Sequence, residues 1–441
     1  MKTFSNLLKQ SLYVFCAIVA ASCSSEQVCD QPQPAFLEGQ PKTCNLILDI
    51  DKPAYADDAS TRSASTWSDG DKIYLTFTTK SGKTYGDAIY KSGSWTVNYY
   101  GSLTQGTETE CSAVYFENPK YASGSVVQAD EHTAIYEDSS AVYAYNGSTL
   151  AVTANLTPKT GRIRFEGADK ETITVYGIRR YTSYDVSNGR YTTSIGAITT
   201  SVSTQYTPYI YGAFSDSDEP RLNIITKNSG YTRILPKNIY QPGQSGYMTI
   251  PTETSHNGWQ NSVILKVNNV EFTMIPVEYS KGFFLLAETE TTEQLYNAIT
   301  GGTATTSTYP QTSMSYSTCS SFISKMKAIT ELNFYIPSTE EWQHAYKGGV
   351  KTQGYTYSGS NIISNVGWYS GNSGGKKQKV KQLQPNELGF YDMCGNVAEL
   401  TNNANEYYYG GAYSTSESNC RASYYSSYSS YYTGLRFALK P

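Results

Sequence analysis

The sequence predicts a multidomain, strand-rich chain, with all-β sandwiches over the first 255 residues and one α+β domain after them. Three observations carry this. A length of 441 residues suits about three domains of ordinary size. Charged residues make up only 16%, and Tyr, Ser, Thr and Gly fill the shortfall, which favours strands and turns. Period-two alternation recurs between residues 42 and 255, whereas helical signals lie beyond residue 290.

Residues 1–23 read as a targeting segment. Lys2 and Lys9 form a basic start, and Leu12 to Ala21 is apolar but too short to span a bilayer. The stretch ends in Ala20-Ala21-Ser22-Cys23, which resembles a bacterial lipobox with Cys23 as the acylated mature N-terminus. Ordinary cleavage after Ser22 also suits the Ala-x-Ser pattern. Each buried acyl CH₂ contributes roughly 0.8 kcal/mol, so several chains on Cys23 anchor firmly. Residues 24–41 are polar and Pro/Gln-rich, as a tether is. The implied location is the surface of a Gram-negative outer membrane, touched only through the lipid.

Residues 42–158 and 159–255 read as two β-sandwiches. Ile73, Leu75 and Phe77 alternate with polar neighbours, Ser81-Gly82 marks a turn, and Trp95, Val97 and Tyr99 alternate again. Ile163 and Phe165, then Ile173, Val175 and Gly177, repeat the pattern around a boundary at Pro158-Lys159-Thr160-Gly161. The phrases Thr61-Arg62-Ser63 with Trp67-Ser68-Asp69-Gly70-Asp71-Lys72-Ile73-Tyr74, Leu156 to Phe165, and Tyr240 to Pro251 resemble fimbrillin-like (Mfa-type) proteins. That resemblance implies transthyretin-like sandwiches in a pilus component. It also implies a protease cut after Arg62 that frees a groove for strand donation. An ordinary exposed Arg62 is the plainer alternative.

Residues 252–262 are polar and read as a linker. Beyond them Thr291 to Ile299 and Ser320 to Ile329 are short helical candidates, the second with Phe322, Met326 and Ile329 on one side. Ser338-Thr339-Glu340-Glu341 is a capping box opening a helix whose apolar face is Trp342, Ala345 and Tyr346 and which Gly348-Gly349 ends.

Six cysteines follow Cys23: Cys29, Cys44, Cys111, Cys319, Cys394 and Cys420. None forms a Cys-x-x-Cys, and three histidines (His132, His256, His344) make a zinc site a poor expectation. Export permits disulfides, and Cys394–Cys420 is the preferred pair, closing a loop of about 25 residues for about 3 kcal/mol. A net charge of −4 and no basic run larger than Lys376-Lys377-Gln378-Lys379, read as a solvated loop, argue against nucleic acid.

Residues 263–441 carry an ordered series of phrases. They are Phe272 to Glu278, Thr289-Glu290-Thr291-Thr292, Ile336 to Ala345, Tyr357-Ser358-Gly359-Ser360 and Val366-Gly367-Trp368. Then follow Pro385 to Glu399, Gly410-Gly411-Ala412-Tyr413, Asn419-Cys420-Arg421 and Gly434-Leu435-Arg436-Phe437. The series resembles the formylglycine-generating-enzyme (sulfatase-modifying factor) family, a variant of the C-type lectin fold. Family enzymes oxidise a substrate cysteine with two copper-binding cysteines five residues apart. Cys420 matches the first, but Tyr425 stands at the second and cannot supply the thiolate. The resemblance therefore implies a scaffold without the oxidase activity. It also implies a Ca²⁺ held by the side chains of Asp392 and Glu399 and the carbonyls of Gly395 and Val397. A metal-free loop is the alternative, and no cofactor is required.

The last forty residues hold nine of the 41 tyrosines. Tyr with Ser is paratope chemistry: large amphipathic contacts at low entropy cost, with adaptable hydrogen bonds. From Tyr424 to Thr433 no aliphatic residue and no alternation occur, so a loop is expected rather than a strand. A chain that is Tyr-rich throughout is the bland explanation. The interleaving of fixed motifs with Tyr, Ser and Asn resembles the variable proteins of diversity-generating retroelements. Candidate ligand-binding positions are Asn402, Asn403, Asn405, Tyr407, Tyr408, Tyr409, Tyr413, Ser414, Ser416, Ser418 and Asn419. Tyr424, Tyr425, Ser426, Ser427, Tyr428, Ser429, Ser430, Tyr431 and Tyr432 complete them.

The function expected is non-enzymatic ligand binding at a surface, as an adhesin or receptor for a protein or glycan on another cell or a phage. The alternatives are a structural pilus subunit that meets other subunits, and a divergent enzyme of the formylglycine-generating family. The enzyme needs a titratable cluster, yet beyond Glu406, Glu417, Arg421 and Arg436 the tail has almost none.

Overall fold

The computed structural model describes residues 42–50, 52–55, 66–167, 171–202, 207–213, 221–235, 241–251, 260–403, 405–427 and 431–441. The targeting segment with Cys23, the tether, Arg62, most of the 252–262 linker, and Tyr428, Ser429 and Ser430 lie outside the described residues.

Eleven strands build the first unit: β1 (Lys42–Asp49), β2 (Lys72–Thr79), β3 (Gly82–Lys91), β4 (Ser94–Tyr99), β5 (Gly106–Glu117), β6 (Tyr121–Ser123), β7 (Val126–Gln128), β8 (Ala134–Asp138), β9 (Val142–Tyr145), β10 (Thr149–Thr153) and β11 (Thr157–Pro158). Ile73, Leu75 and Phe77 of β2 all point inward, as their alternation requires, and meet Val97, Tyr143 and Leu150 in one core. The unit is more closed than an open sandwich. Nine strands run in the order β11-β8-β5-β2-β3-β4-β1-β10-β9, and β5 pairs again with β9. The long β5 manages both because its register shifts between Gly106 and Thr109. Its first half meets β9 and its second half, Ala113 to Glu117, meets β8. β1 lies between β4, antiparallel, and β10, parallel.

The second unit comprises β12 (Gly161–Glu166), β13 (Glu171–Tyr176), β14 (Arg179–Asp185), β15 (Arg190–Ile195), β16 (Ile198–Val202), β17 (Ile210–Gly212), β18 (Arg221–Ile225), β19 (Gly230–Ile234) and β20 (Ser245–Thr249). Sheets β17-β12-β20 and β16-β13-β18-β19 enclose Ile163, Phe165, Ile173, Val175 and Ile224. The hairpin β14–β15 leaves them and pairs with β7 of the first unit. Tyr184 and Val186 then pack on Tyr74, Val114 and Phe116, so packing crosses the chain position expected as a boundary. Tyr55 bolts the same joint. It is fully buried, its hydroxyl donates to the Thr160 carbonyl at 2.6 Å, and the Arg162 guanidinium lies 4.0 Å over its ring.

Among the described residues no helix precedes Glu293. The C-terminal domain opens with β21 (Val263–Val267), β22 (Val270–Tyr279) and β23 (Gly282–Ala287). Next come α1 (Glu293–Thr300), α2 (Tyr316–Thr330), β24 (Asn333–Tyr335) and α3 (Thr339–Tyr346). Short strands follow: β25 (Gly367–Trp368), β26 (Cys394–Gly395), β27 (Ala398–Leu400), β28 (Tyr408–Tyr409), β29 (Tyr425–Ser426), β30 (Thr433–Gly434) and β31 (Ala438–Lys440). The chain's last strand, β31, inserts between β23 and β24 and completes a five-stranded sheet. In α2 Phe322 and Met326 are buried, but Ile329, on the same face in the last turn of the helix, is 37% exposed. Lys377 of the basic run is tied to Glu293 at 2.6 Å and to the Pro310 carbonyl at 2.8 Å rather than freely solvated.

The capping box forms as the sequence predicts. Ser338 N–H donates to Glu341 at 2.8 Å, and Glu341 N–H donates to the Ser338 hydroxyl at 3.2 Å. Ser338→Ala is expected to cost about 1 kcal/mol, seen as a lower urea midpoint at unchanged m-value.

Candidate ligand-binding surface of the C-terminal domain

A buried ionic frame underlies the tail. Arg436 donates through Nε to both Glu399 oxygens, at 3.0 and 2.9 Å, and through Nη2 to Oε1 at 2.7 Å. Its other donors reach the carbonyls of Ala287 at 3.0 Å and Tyr391 at 2.7 Å. The side chains of Arg436 and Glu399 are 0% and 1% exposed. The Trp342 indole N–H also donates to Glu399. Glu290, fully buried, accepts from the Asn396 side chain at 2.7 Å and the Val397 N–H at 2.9 Å. Burial, with Asp392 and Glu399 nearby, raises the Glu290 carboxyl well above its usual range.

This frame reaches the surface through the backbone. The Asn396 carbonyl accepts from Tyr413 N–H at 2.9 Å, and Ala398 N–H donates to the Tyr432 carbonyl at 3.0 Å. Sheet β29-β28-β27-β30 then fixes both flanks of the tail. Gly410 and Gly411, both at positive φ, make the turn after β28. A Cβ on Gly411 would stand 2.6 Å from the Asn419 carbonyl.

The expected binding positions divide sharply by burial. Tyr424, Tyr425 and Tyr431 are 38%, 48% and 70% exposed. Asn402, Asn405, Ser414, Ser416, Ser418 and Ser427 are exposed with them. Asn403, Tyr407, Tyr413, Asn419, Ser426 and Tyr432 are half-buried. Tyr408 and Tyr409 do not fit a ligand-facing role, at 2% and 6% exposed. Tyr408 donates its hydroxyl to the Met314 carbonyl at 3.0 Å inside one core cluster, and Tyr409 packs in another, 5.8 Å from Trp342. The adjacent Gly410-Gly411 was the available signal, since a tight frame turn draws the residues before it inward. Tyr425 and Ser426 also pair with β28, so the tail contains a two-residue strand where only loop was expected. The Tyr425 ring stacks on Tyr407 at 4.1 Å and leans on Tyr409 at 6.0 Å. An aromatic chain thus runs from solvent to the buried Trp342.

The thiols do not support the expected bridge. Cys394 and Cys420 are free, buried and separately partnered. Cys394 donates to the Tyr346 hydroxyl at 3.0 Å and accepts from Ser358 N–H at 3.2 Å. The Tyr346 hydroxyl in turn donates to the Cys420 carbonyl at 2.8 Å. Burial pushes the Cys394 thiol up to about 12 and Cys420 up to about 11, so neither is a thiolate at neutral pH. Mass spectrometry after iodoacetamide is expected to find Cys111, Cys319, Cys394 and Cys420 unlabelled in the native chain. All four should be labelled after denaturation without reductant.

Of the expected calcium donors, Glu399 is already occupied. Glu399 is neutralised by Arg436 and bonded to Trp342, which leaves it no free lone pair directed at a cation. Asp392 accepts from Lys381 N–H at 2.8 Å through Oδ2, and its Oδ1 has no partner. Among the described residues no group of three or more His, Cys, Asp or Glu side chains gathers as a metal cluster.

Residues 180–438 match the Sulfatase-modifying factor enzyme 1-like domain family. The chain belongs to this family. The matched range begins inside the second β unit, before the compact C-terminal domain starts. An 83-residue segment is 40% identical to the chaperone protein LppX of Paenibacillus barcinonensis, covering 15% of this chain and 30% of that protein's length. Among solved structures the chain is similar to Treponema denticola variable protein 1, at 21% identity and TM-score 0.37. That match covers 41% of this chain and 100% of the other. It is also similar to a fimbrial protein from Bacteroides ovatus, at 10% identity and TM-score 0.27, covering 72% of each chain. The fimbrial anchor protein Mfa2 from Porphyromonas gingivalis is similar at 9% identity and TM-score 0.24, over 42% of this chain and 78% of that one. The whole is a strand-rich multidomain chain that ends in a sulfatase-modifying-factor domain.

Proposed function

We propose that this chain is a non-enzymatic, surface-displayed binding protein whose C-terminal domain meets a protein or glycan through Tyr424, Tyr425, Tyr431 and the serines and asparagines around them. One observation carries this: exposed tyrosines stand on a frame whose own charged and aromatic groups are fully buried and mutually bonded. Such a frame tolerates exchange of its exposed side chains, since exposed substitutions change stability by no more than about 0.5 kcal/mol. Diversification by a retroelement fits that tolerance. A near-repeat of the gene's 3′ end, differing only at adenines and lying beside a reverse transcriptase, is the sign to look for in neighbouring DNA.

The oxidase chemistry of the family has no support in the site. Cys420 is a buried protonated thiol, Tyr425 occupies the second sulfur position, and Arg436 is consumed by Glu399. An assay of peptide-thiol oxidation is expected to show no turnover above the metal-only background. Attachment through an acylated Cys23 to the outer membrane belongs to the same proposal. Among the described residues no helix is long and apolar enough to cross a membrane. Screening the chain against arrays of glycans and of bacterial and host surface proteins tests the binding function directly. A saturable partner is expected, and silence on every array counts against it.

One observation favours a second reading, a pilus subunit. The first strand, β1, lies inside the sheet between β4 and β10 rather than at an edge. Its removal opens a slot that a strand from another subunit fills. Polymerisation after cleavage at Arg62 supports that reading, and a monomer after complete cleavage opposes it.

A further inference from the structure

A domain hung on a polar linker shares few contacts with the unit before it. The junction here is different. Tyr176 of β13 and Ile225 of β18 are buried in the same core as Val263, Leu265, Leu285 and Phe322 of the C-terminal domain. At Gly230, the first residue of β19, a Cβ would stand 2.5 Å from the Val263 Cγ2 and 2.8 Å from the Leu285 Cδ2. The backbone of the second unit therefore lies directly on side chains of the next domain.

Polar groups at the junction are matched as well. Ile264 N–H donates to the Thr232 hydroxyl at 2.8 Å and to the Asn223 side-chain oxygen at 3.1 Å. Thr232 and Gln260 exchange both backbone hydrogen bonds, at 2.8 and 3.0 Å. Arg221 pairs with Glu271, and Arg180 with Glu331 at 3.4 Å, along the rim. An apolar centre, satisfied buried polar groups and an ionic rim are the anatomy of a permanent interface.

We propose that the second β unit and the C-terminal domain fold and open as one body. The tyrosine surface is then held at a fixed angle to the β units rather than swinging on the 252–262 segment. The β18–β19 pair acts as part of the carrier of the binding surface, and the proposal holds whatever that surface binds.

Hydrogen exchange read by mass spectrometry on the full chain tests this. Peptides from β18–β19 and from β21–β23 are expected to open together. Ile225→Ser is expected to speed exchange in both sets by about a hundredfold, as truncation of a buried aliphatic side chain does. If that variant does not fold, Ile225→Val serves, with about fivefold faster exchange expected in both sets. Loss of protection confined to β18–β19, with β21–β23 unchanged, overturns the proposal.

Discussion

Replacing Arg436 by Gln is expected to destabilise the C-terminal domain by about 3–5 kcal/mol, the range for stripping one partner from a buried ion pair. Among the described residues Arg436 is the one cation paired with Glu399, and Glu290 and Asp392 are close enough to feel its charge. Without it Glu399 is left in a dry core without its counter-cation. The carbonyls of Ala287 and Tyr391 lose their donors at the same time. A Gln side chain replaces at most one of those bonds. The partner substitution Glu399→Gln is expected to cost less, because the guanidinium keeps both carbonyls and two nearby carboxylates. Urea unfolding followed by hydrogen exchange of peptides from the C-terminal domain gives both values. A double substitution Arg436→Met/Glu399→Leu that is less damaging than Arg436→Met alone shows that the penalty is an unpaired charge. Equal and small effects of all the single substitutions contradict this account of the frame.

Tyr408→Ala is the second large effect, expected at about 3–5 kcal/mol, the range for deleting a buried aromatic ring. Its ring belongs to the core that holds Leu400, Leu435 and Phe437, and its hydroxyl satisfies the Met314 carbonyl. Tyr431→Ala, 23 residues further along the same tyrosine-rich tail, is expected to change stability by no more than about 0.5 kcal/mol. Thermal unfolding of the two variants side by side reads the contrast. Similar losses for both mean that the tail is uniformly packed and has no separate outer face.

Much of this arrangement was legible in the residues. The alternation of Ile73, Leu75 and Phe77 and the Ser338–Glu341 capping box are local patterns, and local geometry realises them. The ordered phrases around Gly395-Asn396-Val397 and Gly434 to Phe437 marked the C-terminal domain, and Tyr425 in place of a second cysteine is the residue on which the non-enzymatic proposal rests. What escaped depends on distant partners. Tyr408 and Tyr409 resemble their neighbours in composition, and only the packing of Met314 and Trp342 against them decides that they are core. The closure of the first unit depends on a register shift inside β5, and the hairpin β14–β15 crosses to a neighbouring unit, neither of which alternation can show. The Cys394–Cys420 pairing failed for a similar reason. Loop length alone favours it, while Tyr346 gives each cysteine a different tie.

The central claim is that Tyr424, Tyr425 and Tyr431 face outward and hold a partner while contributing little to the fold. The most direct test compares the affinity of an array-selected partner for the wild type and for Tyr424→Ala/Tyr425→Ala/Tyr431→Ala, alongside each protein's unfolding midpoint. The account predicts binding weakened by about a hundredfold or more, as loss of aromatic hot spots does, with a nearly unchanged midpoint. Undiminished affinity in a folded triple variant contradicts it.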